Sequence, residues 1–371
     1  MLYYLCKLEF TTALHIGDSS SARSLETSRM AFGADTLFSA LCHEALILGG
    51  PDLLEHLYQL TRDDKLLFSD SMPYCGETLY LPKPVAPARS KTEGDPVKKV
   101  VLYVGLEVAP ARNKTEDDPE LRKILKKILY LPVALMDNYM AYLRGEADLE
   151  VKPAEEEDKD GDLGNLPVVH TKFGRHSTVA KVSIQGRKET EPFHVGTFTF
   201  FQEQKNEPQH EVCGLYIIIG YAEDSVLRLA LRLLRSLSAS GIGGKTSAGY
   251  GKFKIIDEIF LDEVCDKQTE WLKTHLHNQK SGRFMLLNLA LPKKEEMAGA
   301  VEGCTYALER RGGFVRSKNY GRTFYKKKTG YLFAAGSVFK KPFRGDIFDV
   351  AVEGAHPVYR FGKAMFLGVD L

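Results

Sequence analysis

Long apolar runs are missing from this chain. The best candidate, Leu215–Tyr221, is only strand-length, well short of the ~18–20 residues a membrane helix needs. Closely spaced cysteines are missing too. The six cysteines at 6, 42, 75, 213, 265 and 304 include no C-x-x-C, which reads as reduced core thiols rather than a disulfide framework. The apolar start Met1-Leu2-Tyr3-Tyr4-Leu5 is interrupted by Lys7 and Glu9, too early for a signal peptide. These absences predict a cytoplasmic protein with no membrane association. An excess of one charge is also absent: 50 Lys and Arg stand against 49 Asp and Glu, for a net charge of +1. A dedicated nucleic-acid binder is often far more basic, so the global balance speaks weakly against one.

What the chain does have is ordinary globular composition over a generous length. The 371 residues are 44% hydrophobic and 27% charged, enough for two domains with ample core. The charges are segregated. Between Arg310 and Arg344 there are eleven Lys or Arg and no acid, and between Leu163 and Lys188 five basic residues and two histidines, again with no acid. Nine acids crowd into Gly145–Asp162, which reads as a solvated linker or loop. Phosphate contacts act locally, screened within about 10 Å, so this distribution matters more than the sum.

Periodicity gives the elements. Residues 2–10 alternate as a strand, and Asp35 stands where it would cap a helix with Leu37, Phe38, Leu41, Ala45 and Leu48 on its apolar face. Gly49-Gly50-Pro51 stops that helix, and 52–60 reads as a second, short one. Helices are also expected at 121–131, 134–143, 224–237, 268–277 and 294–301. Strands are expected at 168–185 and 195–201 around a basic turn, and at 211–220, 252–256 and 283–291. Strand, helix, strands, helix, strand is the order of a ferredoxin-like βαββαβ unit. We therefore expect an α+β protein of two ferredoxin-like (RRM-like) domains with insertions. The first runs over 1–258 and the second, degenerate, over 259–371.

Between the helix at 224–237 and the following strand lies Ser240-Gly241-Ile242-Gly243-Gly244-Lys245-Thr246-Ser247-Ala248-Gly249-Tyr250-Gly251. A phosphate-binding Walker loop needs G-x-x-x-x-G-K-[ST], but Ala239 occupies its first position. The order is also reversed, since a helix enters this loop and a strand leaves it. Five glycines still permit positive φ and uncovered amides, so the loop can lie along a sugar-phosphate backbone. The plainer alternative is a helix C-cap at Gly241 followed by tight packing.

Helix, then G-x-G-G-x-x-S-x-G-x-G, then strand resembles the glycine-rich loop of the RAMP superfamily of CRISPR-associated RNA-binding proteins. Further segments narrow the likeness: Leu14-His15-Ile16-Gly17, Ala34–Leu41, Thr190–Phe198, Gly336–Phe339 and His356–Lys363. Together they resemble the family of the fourth subunit of the type III-A (Csm) interference complex. The resemblance implies a non-catalytic subunit. Separately, His275-x-His277 is the only tight His pair and no Cys or acidic cluster completes a site in the sequence, so no metal or cofactor is expected. The implied subunit would hold the 5′ handle of the CRISPR RNA and join the large polymerase-like subunit to the repeated backbone subunits. By position it assigns RNA contact to Gly241, Gly243, Gly244, Lys245, Thr246 and Ser247, with His15 and Ser39 nearby. It makes Arg175, His176, Lys181 and Arg187 a protruding hairpin that kinks the guide. Some relatives carry Asp-Arg or Asn-Arg there, where this chain reads Ser183-Ile184-Gln185-Gly186-Arg187.

Independently of that likeness, the basic residues of 310–344 interleave with Phe314, Tyr320, Phe324, Tyr325, Tyr331, Phe333, Phe339 and Phe343. Cations neutralise phosphates and aromatic faces stack bases. Arg311, Arg316, Lys318 and Arg322 are the stronger RNA candidates, because guanidinium groups bind phosphate in a plane and also stack. Phe333 and Phe339 sit in apolar runs and read as core. Arg228, Arg232 and Arg235 read as a solvated helix face. The alternative function is a metal-independent CRISPR RNA-processing endoribonuclease, which needs a general base and a general acid. His15, His43, His170, His176 and His194 are its candidates, but spacing assembles no catalytic set.

Overall fold

The structure is a computed structural model that describes residues 1–17, 24–86, 98–105, 119–153, 168–182, 192–202, 211–263, 266–315, 317 and 325–371. The chain opens with β1 (Leu2–Phe10) and α1 (Ala34–Arg62), then β2 (Leu66–Phe68), β3 (Met72–Cys75) and β4 (Thr78–Pro82). An inserted stretch holds β5 (Lys98–Gly105), α2 (Pro119–Lys127), β6 (Tyr130–Pro132), α3 (Met136–Arg144), β7 (Ala147–Pro153) and β8 (Val169–His170). The hairpin β9 (Gly174–Val182) and β10 (Pro192–Phe200) follows, then β11 (Cys213–Tyr221), α4 (Asp224–Ser240) and β12 (Phe253–Phe260). The C-terminal part comprises α5 (Lys267–His277), β13 (Arg283–Leu286), α6 (Met297–Val301), β14 (Leu308–Arg311) and β15 (Gly330–Phe333). It ends with β16 (Val338–Phe339), β17 (Ile347–Asp349), β18 (Tyr359–Phe361) and β19 (Phe366–Val369). The architecture is α+β.

The main sheet runs β12-β1-β11-β3-β4-β6, with β2 pairing the far end of β11. The strands flanking α1 and α4 thus take the order β12-β1-β11-β2, each pair antiparallel. Period-two alternation sends side chains of one strand to opposite faces. From β1, Tyr4, Cys6, Leu8 and Phe10 enter one core cluster, with α1 and α4. Tyr3 and Leu5 enter another, with α3, α5, β13 and β19. The unbroken apolar run of β11 follows from the same fact, since all nine of its residues are buried. Side chains from both sides of position 258 share these clusters: Phe361 packs near Phe38 and Phe68, and Leu367 lies with Leu5.

Three sequence expectations change. Gly33, not Asp35, holds the N-cap position of α1, and the Asp70 carboxylate reaches in to accept from the Ala34 amide at 2.7 Å. Asp35 instead accepts from Thr36 and turns toward Arg311. The acidic stretch is not all loop: Ala147, Leu149 and Val151 are buried on alternate positions of β7, which pairs in parallel with β5. The nine acids hid that alternation, and residues 154–162 lie outside the described residues. Finally, Cys75 and Cys213 face each other across the β3–β11 ladder and are joined as a disulfide, where six thiols were expected. Cys6, Cys42 and Cys304 are free, and burial raises all three thiols.

The break at Gly50 is as expected, with φ 67° and ψ −159° just before Pro51. By length and composition alone the whole of α1 would pass as a membrane span. The break divides it, and Leu37, Phe38, Leu41, Leu57 and Leu60 are buried in the core.

Candidate nucleic-acid interface

α4 ends at Gly241, whose amide donates to the Leu237 carbonyl at 2.7 Å. The chain then folds back against the turn after β1. Gly244 N–H donates to the His15 carbonyl at 2.8 Å, and Gly251 N–H to that of Ala13 at 2.9 Å. Ile242 N–H donates to Gly251, Ala248 N–H to Lys245, and Gly249 N–H to Thr246. Many of the loop amides are therefore engaged within the fold. The glycines have a steric reason as well. At Gly243, with φ 98°, a Cβ would stand 2.6 Å from the His15 carbonyl oxygen. At Gly251, with φ 74°, it would collide with the Ile242 carbonyl. The loop's glycines are set first by this close backbone packing.

What the loop offers outward are side chains. Lys245 sits at φ 59°, one of two non-glycine residues at positive φ among the described residues. It opens a 3-10 turn over Thr246–Ala248, where Ser247 and Ala248 are exposed and Thr246 half-buried. His15 supports this corner from beneath. It is 5% exposed, and its Nδ1 lies 2.6 Å from the Gly196 carbonyl, so Nδ1 carries the proton and donates. Burial, with Lys245 adding to it, holds His15 below its ordinary value, so the ring is neutral near pH 7. Of the two readings open for His15, packing at the strand end or contact with RNA backbone, its burial and its bond to Gly196 fit the packing one.

The hairpin stands beside the loop. β10 bridges to Leu14, and Gly196 N–H donates to the Leu25 carbonyl at 2.8 Å, which anchors the base of the hairpin. β9 is exposed from Arg175 through Ala180. Two cation–π contacts join hairpin and loop: Lys245 Nζ lies 4.8 Å from the Phe193 ring centroid, and Lys181 Nζ 4.2 Å from that of Tyr250. Composition alone cannot reveal such pairs, although Phe193 belongs to one of the segments carrying the resemblance. His176 meets Phe198 edge-on at 4.8 Å, and Arg175 lies over Phe201 at 6.0 Å. Arg187 lies outside the described residues.

From the base of the hairpin a cleft of 1510 Å³ extends toward β14, with Arg29, Lys172, Arg175, His176, Phe198 and Arg311 in its wall. Arg311 departs from expectation. Its side chain is 9% exposed, with Nε 3.4 Å from Asp35 and 3.3 Å from Glu309, and Arg29 also pairs with Glu309. Arg311 therefore binds α1 to β14 in a buried ion cluster and forms cleft floor, not an open phosphate clamp. Ser39 is half-buried one helical turn after Asp35. Arg316, Lys318 and Arg322 lie outside the described residues. Phe333, Phe339 and Phe343 are core, as expected for the first two, while Phe314 and Tyr331 are exposed. Of the α4 arginines, Arg235 pairs with Glu258 at 2.9 Å.

Comparison with known sequences matches residues 7–254 to the RAMP superfamily and residues 279–369 to the CRISPR Csm4 C-terminal domain. The chain belongs to the Csm4 family of RAMP proteins. A CRISPR system Csm4 protein of Mycobacterium tuberculosis is 32% identical over 359 residues, covering 96% of this chain and 94% of its own. The Csm4 protein of Streptococcus thermophilus is 27% identical over 374 residues, with both chains fully covered. Among solved structures, one chain of a Csm3–Csm4 subcomplex from the type III-A interference complex aligns with TM-score 0.58 at 16% identity, each chain fully covered. A chain of a Csm1–Csm4 cassette in complex with pppApA aligns at 0.51 and 18%, covering all of this chain and 99% of that one. At such identities these two establish a shared Csm4 fold.

Proposed function

We propose that this Csm4-family chain is a non-catalytic RNA-binding subunit of a cytoplasmic type III-A CRISPR effector complex. In this reading it holds the 5′ handle of the CRISPR RNA and joins the large polymerase-like subunit to the first repeated backbone subunit. Its C-terminal part would be a second, reduced ferredoxin-like unit. The observation that carries the reading is Lys245. A lysine held at positive φ costs ~1–2 kcal/mol, and strain retained at a half-buried corner that shares the loop–hairpin junction with Lys181 points to a ligand with a phosphate backbone. The crystallised assemblies of Csm4 relatives with Csm3 and with Csm1 support the two protein partners.

The test is binding and cleavage of labelled repeat-containing RNA by the full chain, on one sample, in chelator. Salt-sensitive binding without cleavage is expected, with a slope near −0.7 per phosphate contacted. Lys245→Ala should weaken it while leaving the melting temperature in place. Site-specific cutting in chelator would overturn the non-catalytic reading and favour the endoribonuclease. His170 and His176, both in the cleft wall, would then become the first acid–base candidates.

A further inference from the structure

At the end of the cleft away from β14, four metal-ligating side chains from three separate elements converge. Cys75 closes β3, Glu211 and Cys213 lead into β11, and His170 comes from β8 of the inserted sheet. A ring nitrogen of His170, a carboxylate oxygen of Glu211 and the Cys75 sulfur all lie within 4.8 Å of one another. The Cys213 sulfur is in contact with that of Cys75. We propose that these four residues form a zinc-class metal site: two thiolates, one imidazole and one carboxylate.

Each of these donors is one that four-coordinate zinc takes, and thiolate with imidazole selects zinc over the hard cations. A disulfide alone accounts for two cysteines meeting across a ladder. It leaves unexplained why a histidine and a glutamate both approach the Cys75 sulfur. Burial is graded as such a site requires, with Cys213 and Cys75 at 0% and 3% exposure, His170 half-buried and Glu211 at the mouth. The backbone that carries His170 is held in place as well. The Tyr80 hydroxyl donates to the Val168 carbonyl at 2.8 Å and accepts from the His170 amide, which fixes β8. Gly76 leaves space for the Glu211 carboxylate, which would lie 3.1 Å from a Cβ there.

Zinc–ligand bonds of ~2.0–2.3 Å put tetrahedral ligand atoms roughly 3.3–3.8 Å apart, so shifts of about 1 Å bring the Cys75, His170 and Glu211 ligand atoms to that spacing, with Cys213 Sγ swinging in as the fourth. The sulfurs must first part. Two electrons and two protons from a thiol reductant convert the disulfide to two thiols, and the entering metal displaces both protons. Bound metal would fasten the inserted β5–β7–β8 sheet to the main sheet beside the candidate RNA surface.

The test uses the full chain purified with a phosphine reductant and no chelator. Elemental analysis should find about one zinc per chain, and Co²⁺ substitution should give thiolate-to-metal charge-transfer absorption with tetrahedral d–d bands. Cys75→Ser, and the more accessible His170→Ala and Glu211→Gln, should each weaken Co²⁺ binding at least tenfold with unchanged circular dichroism. If Cys75→Ser fails to fold, the other two variants decide. No retained metal and no charge-transfer band in reduced protein would overturn the site, as would wild-type metal binding in both His170→Ala and Glu211→Gln.

Discussion

The two basic segments, 163–188 and 310–344, look alike in composition and behave differently in the fold. In the first, Arg175 and His176 lie open on a hairpin, and Lys181 reaches across to Tyr250. In the second, Arg311 is enclosed by two carboxylates, burial lowers Lys327, and three phenylalanines fill a core cluster. A run of cations without acids marks a surface only when the acids that would neutralise it are far away in space as well as in sequence. Asp35 and Glu309 lie outside the acid-free stretch yet fold directly onto it.

Arg311 gives the hardest test of that contrast. Arg311→Met takes the paired cation from enclosed Asp35 and leaves Glu309 with Arg29 alone; it should cost about 3 kcal/mol, read as a fall in the urea midpoint. Arg175→Ala, at an exposed position, should move stability by no more than ~0.5 kcal/mol. Equal effects from the two would abolish the distinction between the segments.

Asp70 sharpens it through pH. Burial pushes its carboxyl up to about 7, against the pull of the Ala34 and Leu289 amides and of Arg311. Its ordinary unfolded value is near 4. The folded chain therefore keeps a proton that the unfolded chain releases between about pH 4 and 7. This contribution to stability is complete below about pH 4 and is lost as pH rises through about 7. Asp70→Asn retains an acceptor for both amides and removes the cost of ionising. Its stability advantage over the parent should grow between pH 5 and 8 to ~1–3 kcal/mol, measured by thermal melts across that range. An advantage independent of pH would mean that Asp70 titrates normally.

Much of the architecture was legible because long apolar patterns are local. The stripe Val226, Ala230, Leu233, Leu234 and Leu237 placed α4, and the run in β11 announced a strand covered on both faces. Contacts between distant segments were not legible. Asp70 capping α1, Cys75 opposite Cys213, and Lys363, fully buried on Asp64 and the Arg62 carbonyl, depend on how the sheet folds back. The same holds at the interface. The glycine loop and the Thr190–Phe198 segment were both visible as motifs, but their meeting, Gly196 on His15 and Phe193 on Lys245, was not, nor was the fact that the loop amides are largely engaged.

Within the loop, stability and binding should move in opposite directions. Lys245→Gly releases the strain at φ 59° and should raise stability by about 1 kcal/mol. It also removes the cation and should weaken RNA binding. Loss of stability together with loss of binding would make Lys245 a structural residue, held by its contact with Phe193.

A small effect also belongs to Lys181. Its ammonium lies over the Tyr250 ring on a half-exposed strand position, a contact worth ~0.5–1 kcal/mol at such sites. Lys181→Ala should therefore shift stability by less than that and leave the hairpin paired through β10. If Lys181 also meets a phosphate, the salt dependence of RNA binding should become shallower by about 0.7 in the log–log slope. Lys181→Arg should restore it, since charge is retained. A slope unchanged by Lys181→Ala would confine this lysine to joining hairpin and loop, and leave Arg175 and Lys245 as the remaining candidate cations for RNA.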